Sequence, residues 1–180
     1  RSTLFPYTTL FRSPYRLRHS ATDAPTQTIR LDDLVRNTVD RCSLRAPAPQ
    51  LQIGLEPILV KADPQRLSAV VEHVIRNAQD ATQNGSISVA LHTVADDVVL
   101  TVSDSGKGMD AEFVRERLFR PFDSTKGSKG MGIGAYQTRE YVQMIGGHVE
   151  VQSSPGQGTV FSISLPLARE LSAGHALVVE

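Results

Sequence analysis

The sequence of 180 residues has few of the features of a secreted protein or of one stabilised by a structural metal. It contains one cysteine, Cys42, and no tryptophan. A single thiol excludes an internal disulfide, and no group of Cys and His has the spacing of zinc ligands. The chain also lacks an apolar run of the roughly 18 to 20 residues that span a bilayer, so it contains no predicted membrane segment. These absences favour a domain that folds in a reducing compartment.

The charge shows no excess of either sign. Lys and Arg number 19 together, as do Asp and Glu, so the formal net charge at pH 7 is zero. A nucleic-acid partner would leave a basic surface, and we therefore predict no such partner. The length suits one domain with ragged ends. We expect residues 1–26 to be a disordered or non-native leader, residues 28–167 to be the domain and residues 168–180 to be a tail.

Residues 28–167 alternate between helical and strand patterns, which predicts an α/β fold. Asp32 is the expected N-cap of a first helix, and Asp63 followed by Pro64 is the expected start of a longer one. Asp96 and Asp97 are expected to join two strands as a hairpin. The long helix has apolar residues at steps of three and four, which predicts one buried face: Leu67, Val70, Val71, Val74, Ile75, Ala78 and Ala81.

Three polar or glycine-rich segments interrupt this pattern. The first contains Asn77, which spacing places at the edge of the buried face of the long helix. A neutral amide oxygen there can ligate Mg²⁺, which prefers oxygen ligands and keeps waters and phosphate oxygens. Taken alone, Asn77 is more simply interpreted as an asparagine on a helix surface.

The second segment, DSGKGM, follows a predicted strand. An ionised Asp104 only accepts hydrogen bonds, so it can accept one from the amino group of adenine but not pair with the carbonyl oxygen of guanine. Gly106 and Gly108 leave room for a sharp turn or a close ligand. The alternative is an ordinary D-x-G turn.

The third segment, TKGSKGMGIGA, leads straight into a helix. Free backbone N–H groups of such a loop, at a helix N-terminus, form a site for phosphate. Its glycines are Gly130, Gly132 and Gly134, and Lys126 and Lys129 add positive charge. The setting matches neither a Rossmann nor a Walker A motif.

The order of Asn77, Asp104-x-Gly106-x-Gly108, Phe119 to Phe122 and the three later glycines resembles the N, G1, F and G2 boxes of sensor histidine kinases. The resemblance covers about residues 28–167. It implies the Bergerat ATP-binding fold, a two-layer α/β (α+β) sandwich with a mixed, mostly antiparallel sheet and helices on one face. Within the family, FVRERLFRPFDSTKGSKGMGIGAYQTREYV is most similar to the kinases of exosortase (PEP-CTERM) systems.

The resemblance implies a role for each matching residue. Asn77 would hold Mg²⁺ and act in catalysis, and Asp104 would recognise the adenine of ATP. Gly106 and Gly108 would shape the base pocket, with Thr159 near its adenine end. ATP and Mg²⁺ are therefore the expected cofactors.

The phosphates of ATP would meet the glycine-rich loop. Gly130, Gly132 and Gly134 would flank them at the base of a mobile lid, and Lys126 would lie near the terminal phosphate as a second catalytic residue. Asp80 occupies the position of a phosphate-binding lysine in many of these kinases. It is expected at the cofactor site, but its carboxylate would repel phosphate unless metal or water intervenes.

Two departures bear on the activity. His73 stands where related ATPases of the gyrase, MutL and Hsp90 type have the glutamate that activates water, and Glu72 is one residue out of phase. Hydrolysis is thereby disfavoured. No histidine lies in the His-Glu/Asp-x-Lys/Arg-x-Pro context that these kinases phosphorylate, which applies to His19, His73, His92, His148 and His175.

The leading interpretation is the ATP-binding catalytic domain of a two-component sensor histidine kinase, which transfers the γ-phosphoryl group to a histidine on a separate dimerisation and phosphoacceptor domain. The alternatives are a GHKL-type ATPase and an ATP-gated interaction module without phosphotransfer. The resemblance implies a response regulator as a further partner, a homodimeric full-length protein and a cytoplasmic location for this domain, within a membrane-anchored bacterial sensor.

Overall fold

The computed structural model describes residues 26–54, 56–122 and 133–168. The predictions for Lys126, Gly130, Gly132 and the two chain ends fall outside these residues. The described part contains seven strands and four helices: β1 (Gln27–Arg30), α1 (Leu31–Cys42), β2 (Pro49–Ile53), β3 (Leu59–Ala62), α2 (Pro64–Ala81), β4 (Ile87–Val94), β5 (Asp97–Asp104), α3 (Ala111–Glu116), α4 (Gly134–Met144), β6 (His148–Ser154) and β7 (Gly158–Pro166).

Five strands form the main sheet, in the order β2-β4-β5-β7-β6. The pair β2–β4 is parallel and the other pairs are antiparallel. Alternate residues of β5, Val98, Leu100 and Val102, are buried against the helical layer, which α1, α2 and α4 form. The predicted sandwich with a mixed, mostly antiparallel sheet is confirmed.

Two details differ from the sequence prediction. The strands β1 and β3 pair with each other in a separate two-stranded sheet, which alternation alone does not reveal. The β4–β5 turn consists of Ala95 and Asp96, and Asp97 is already the first residue of β5. Ala95 has a φ of 54°, so a left-handed residue closes this tight hairpin.

The predicted N-cap role of Asp32 is wrong. The helix α1 follows β1 without a break, its N-cap is Arg30, and no side chain caps it. Asp32 is instead 3% exposed and accepts a hydrogen bond from the Ile58 backbone N–H at 3.1 Å. Burial would raise the pKa of this carboxyl group, but its bonds with Arg30 and Ile58 outweigh that effect and lower it. Asp32 therefore joins α1 to the segment before β3.

The start of α2 is as predicted. The Asp63 carboxylate accepts hydrogen bonds from the Gln65 and Arg66 backbone N–H groups at 2.8 and 3.0 Å, and Pro64 is the first helical residue. No helix of the described residues is long and apolar enough to cross a membrane.

Replacement of this cap should destabilise the domain. We expect Asp63→Ala to lower the free energy of unfolding by about 1 kcal/mol, because two N–H groups lose their acceptor. Urea unfolding followed by circular dichroism measures the change. Asp40→Ala, at an exposed position in α1, is the control and should have little effect. An Asp63→Ala midpoint equal to that of wild type would contradict the assignment of the cap.

Candidate functional site

The carboxylate of Asp104 lies at the end of a central strand. In the sheet, Asp104 is opposite Ile87 of β4 and Thr159 of β7. Its Oδ1 accepts a hydrogen bond from the Gly106 N–H at 2.8 Å. Burial raises the pKa of the Asp104 carboxyl above its ordinary value, while the backbone of Gly106 and Thr159 and the hydroxyl of Thr82 oppose this shift. No basic side chain of the described residues forms an ion pair with it.

The loop after β5 is seated on the last turn of α2. The Lys107 N–H donates to the Ala81 carbonyl oxygen at 3.0 Å. Gly106 lies so close to that carbonyl that a Cβ would collide with it. Asn77 is four residues before Ala81, one helical turn away. The first two polar segments of the sequence, far apart in the chain, thus meet at the C-terminal end of α2.

The turn between β6 and β7 closes over the same loop. The Met109 N–H donates to the Ser153 hydroxyl at 2.8 Å, and that hydroxyl donates to the Gly158 carbonyl oxygen at 2.8 Å. The Gly156 N–H donates to the Lys107 carbonyl oxygen at 2.7 Å. Gly108 has a φ of 65°, and a side chain there would strike Ser154. The hairpin and the Asp104 loop are therefore one unit.

The helix α4 points its N-terminus at the site. Near its C-terminal end, the Tyr141 hydroxyl accepts a hydrogen bond from the Asp63 N–H at 2.9 Å, whereas Gly134 at its N-terminus packs against His73. The helix α4 is therefore antiparallel to α2, with its first turn beside the half of α2 that carries Asn77. The N–H groups of that turn favour an anion. A cavity of about 430 Å³ between α2 and α4 includes both His73 and Gly134.

Asn77 and His73 form a hydrogen-bonded pair on α2. Asn77 Nδ2 lies 2.7 Å from His73 Nε2. They are four residues apart, so both side chains project from the same face of the helix. The amide nitrogen of Asn77 is thus directed at His73.

Asp80 lies one turn further along and pairs with Arg45. The distance from Asp80 Oδ1 to the Arg45 guanidinium is 2.6 Å. The Arg45 backbone is itself held by Gln79, whose amide donates to the Arg45 carbonyl oxygen at 2.7 Å. The positive charge of Arg45 therefore offsets the charge by which Asp80 would repel phosphate.

The two phenylalanines of the predicted F box have different environments. Phe119 contacts Phe161 edge to face, with 6.4 Å between the ring centroids, and the Arg139 guanidinium lies 4.6 Å from its ring. Phe122 is 78% exposed and has a φ of 67°. Phe119 thus anchors this segment to the sheet and α4, and Phe122 extends from it into solvent.

Most of the domain matches the sequence model of a known protein family. Residues 62–169 match the HATPase_c model, described as histidine kinase-, DNA gyrase B- and HSP90-like ATPase. The chain belongs to this family. The matched residues run from the end of β3 to just past β7 and so include Asn77, Asp104, Gly134 and Thr159. The match to this ATPase family supports ATP binding by the domain.

The relatives of this ATPase domain are sensor kinases. The chain is 34% identical over 147 residues to sensor histidine kinase ZraS of Salmonella typhimurium. The alignment covers 78% of this chain and 31% of that protein. The chain thus spans about a third of the length of the relatives it matches. With this likeness, the domain is of the type that sensor histidine kinases use to bind ATP.

Solved structures agree with the fold. The catalytic domain of histidine kinase ThkA superposes with a TM-score of 0.71 at 23% identity, over 79% of this chain and 96% of that chain. Full-length ShkA, in complex with AMPPNP, superposes with a TM-score of 0.71 at 25% identity, over 84% of this chain and 33% of that chain. The predicted likeness to exosortase-system kinases is tested by none of these comparisons and stays a prediction.

The geometry of the ATPase domain fits an adenine. Asp104 is a partly buried carboxylate with no cation beside it in the described ranges. The loop that follows it is fixed by hydrogen bonds to Ala81 and Ser153. A neutral donor such as an exocyclic amino group satisfies this carboxylate without bringing a charge into the site.

The raised pKa of Asp104 predicts a pH dependence. The ionised form accepts the adenine amino group, so affinity should fall as the pH is lowered through the folded-state pKa, which lies above the ordinary value of about 3.9. Adenosine is the suitable ligand because it carries no titrating phosphate, and NMR shift titrations measure its dissociation constant. Asp104→Asn should abolish the dependence. A dissociation constant that stays flat until the pH reaches the ordinary range of Asp would contradict it.

Three residues of the site were not singled out in the sequence. Thr82 is 3% exposed at the end of α2 and lies beside Asp104, Ser153 holds the Asp104 loop, and Arg45 pairs with Asp80. Ser153 could have been found from the register of the last hairpin, which places it opposite Thr159. Arg45 follows a helix in a short loop, and no local pattern identifies its partner.

Proposed function

We propose that this domain transfers the γ-phosphoryl group of ATP to a histidine on a separate helical phosphoacceptor domain, from which a response regulator receives it. The observation that supports this most is the meeting of Asn77, the Asp104 loop and the N-terminus of α4 at one end of α2, in a chain related to sensor histidine kinases. Because the chain spans about a third of those relatives, the transfer and the partners are properties proposed for the whole protein.

Each residue of the site has a proposed task. Asp104 binds adenine, and Thr159 borders the adenine end. Gly106 and Gly108 shape the base pocket, because they let the loop pack closely on Ala81 and Ser154. Asn77 and Lys126 are the proposed catalytic residues. The proposed phosphate-binding residues are Lys126, Gly130, Gly132 and Gly134, with Asp80 nearby and paired to Arg45.

Asn77 is the proposed ligand of Mg²⁺. Its amide offers one neutral oxygen, and no cluster of three acidic, His or Cys side chains occurs among the described residues. A single oxygen suits Mg²⁺, because this ion is usually held by one or two protein groups together with waters and substrate phosphates. When bound, the ion would neutralise charge on the phosphates. The chain itself would contribute positioning and fixed dipoles, which supply most of the catalysis in phosphoryl transfer.

One contact favours transfer over hydrolysis. In related ATPases of the gyrase type, the position of His73 holds the glutamate that activates water. Here His73 Nε2 lies 2.7 Å from the Asn77 amide nitrogen. A ring nitrogen that accepts this N–H cannot at the same time take a proton from water. The domain therefore lacks a base at that position, and the acceptor domain supplies the reacting histidine.

A transfer assay tests the proposal. The chain is incubated with γ-³²P-labelled ATP and the phosphoacceptor domain of its own gene. Label on the acceptor histidine, lost when that histidine is replaced by glutamine, is the expected result. Asn77→Ala should remove the transfer, and Asn37→Ala, at an exposed position of α1, should leave it intact. Release of free phosphate would indicate an ATPase instead, and nucleotide binding with neither product would indicate an interaction module.

The remaining proposals follow from the resemblance to sensor histidine kinases. We propose a homodimer for the full-length protein and a cytoplasmic position for this domain, within a membrane-anchored sensor. The name sensor histidine kinase, borne by a relative that aligns with 78% of this chain, supports the assignment to a signalling protein.

A further inference from the structure

His73 occupies a position between the proposed metal ligand and the helix that follows the phosphate loop. We propose that His73 is a positioning residue: it holds the nitrogen end of the Asn77 amide, so that the oxygen end faces the metal. This role rests on the function proposed above for Asn77 as a ligand of Mg²⁺.

The hydrogen bond defines the orientation of the amide. An asparagine side chain has a donor end and an acceptor end on opposite sides of one carbon atom. Asn77 Nδ2 lies 2.7 Å from His73 Nε2, so Oδ1 points away from the ring. Since Nδ2 can only donate, Nε2 must accept. The neutral imidazole therefore carries its proton on Nδ1.

The ring of His73 is itself held in place. It packs against Gly134 so closely that a Cβ at Gly134 would collide with three of its ring atoms. Gly134 is the first residue of α4, which packs against α2. The absence of a side chain at this glycine is thus what allows the imidazole to lie between the two helices. The last glycine of the G2 segment is thereby linked to the proposed metal ligand on α2.

Loss of the acceptor should weaken metal binding. Without the acceptor on His73, the orientation in which the Asn77 oxygen faces the metal loses a stabilising hydrogen bond. The rotated amide would present its NH₂ group, which cannot ligate a metal. Replacement of groups that orient metal ligands from behind typically costs about 10- to 100-fold in metal affinity. Adenine binding should be unaffected, because the Asp104 carboxylate is held by the Gly106 N–H in the loop after β5 and not by His73.

Three variants separate the hydrogen bond from the packing. His73→Leu places an apolar side chain of similar size at this position and removes the hydrogen-bond acceptor. His73→Gln retains an acceptor oxygen on a side chain that can reach the next turn of the helix. His92→Leu makes the leucine substitution at an exposed position of β4 and is the matched control.

The readout is metal binding itself. Mn²⁺ replaces Mg²⁺, and the electron paramagnetic resonance signal of free Mn²⁺ is followed as it is added to protein saturated with ADP. We expect His73→Leu to weaken Mn²⁺ binding about 10- to 100-fold, with adenosine affinity within twofold of wild type. His73→Gln should recover most of the loss, and His92→Leu should behave as wild type.

Specific results would overturn the role. Unchanged Mn²⁺ affinity in His73→Leu would do so, as would an equal loss in His73→Gln, which would make the packing of the ring the cause. If wild-type protein with ADP binds Mn²⁺ no better than Asn77→Ala does, then the metal role of Asn77 fails, and that of His73 with it. Metal binding lost only in the Asn77 variant would leave the proposed function intact and reject His73 alone.

A measurement on the unmodified protein does not depend on the folding of any variant. Long-range ¹H–¹⁵N correlation spectra identify which nitrogen of the neutral His73 ring bears the proton. The structure predicts a proton on Nδ1 and an unprotonated Nε2 that accepts the hydrogen bond from Asn77. A proton on Nε2 would contradict the proposed hydrogen bond.

Discussion

Asp104→Asn should bind ATP about 100-fold more weakly than wild type, with little change in stability. The carboxylate of Asp104 accepts the adenine amino group in our account, and a hydrogen bond to a charged group contributes about 1.5 to 3 kcal/mol. The Asn amide has one acceptor atom, which the Gly106 N–H already occupies in the wild type. Its other end is a donor, which would face the donor of adenine. Calorimetric titration with ATP measures the loss.

The expected stability follows from the sign of the pKa shift. Burial raises the pKa of Asp104, so its ionised form is less favourable in the folded than in the unfolded chain. The stability associated with the protonated form is lost as the pH rises through the folded-state pKa. At pH 7 a neutral Asn avoids this cost, which offsets the hydrogen bond from the Thr159 backbone that the NH₂ end of the amide cannot accept. Loss of binding together with loss of stability would contradict the account, as would unchanged affinity. Asp40→Asn, at an exposed position of α1, is the control and should alter neither.

Gly158→Ala should be the most damaging glycine replacement in the last hairpin. Gly158 has a φ of 83°, and a Cβ there would collide with the carbonyl oxygen of Asp104. Strain in the left-handed region costs about 1 to 2 kcal/mol, and the collision adds to it, so we expect a loss of about 3 kcal/mol in the free energy of unfolding. Because the displaced carbonyl belongs to Asp104, ATP affinity should also fall, by about 10-fold or more.

A neighbouring glycine provides the control. Gly156 has a φ of 75°, and nothing lies within 4 Å of a Cβ placed on it. Gly156→Ala therefore carries the same backbone strain without the collision and should cost only about 1 kcal/mol. Its ATP affinity should remain that of wild type. Urea unfolding and ATP titration of both variants test the difference. Equal losses of stability and of ATP affinity at the two positions would show that close packing of Gly158 on the Asp104 backbone does not matter.

The sequence predicted several of the elements that carry the candidate site, because each depends on local chemistry. Asp63 caps α2 through its own backbone neighbours, and the alternation of β5 places Asp104 at a strand end. The contacts between parts were not predictable in this way. His73 meets Gly134 only because α4 packs antiparallel on α2, and Asp80 meets Arg45 only because Gln79 holds the loop that carries Arg45. Such contacts depend on the tertiary arrangement of elements and have no sequence period.

Asp32 shows why one local prediction was wrong. An acidic residue near a helix start is typical of an N-cap. In this fold the chain enters α1 directly from β1, and the carboxylate is used to bind the Ile58 N–H, in a segment 26 residues away. The tertiary contact overrides the local preference.

The measurement that tests the central claim most directly is a crystal structure of the domain with an ATP analogue and Mg²⁺. We predict that the adenine amino group lies within hydrogen-bond distance of an Asp104 carboxylate oxygen, with the phosphates directed towards Asn77 and the first turn of α4. An adenine bound elsewhere, or turned so that its amino group faces away from Asp104, would contradict the account.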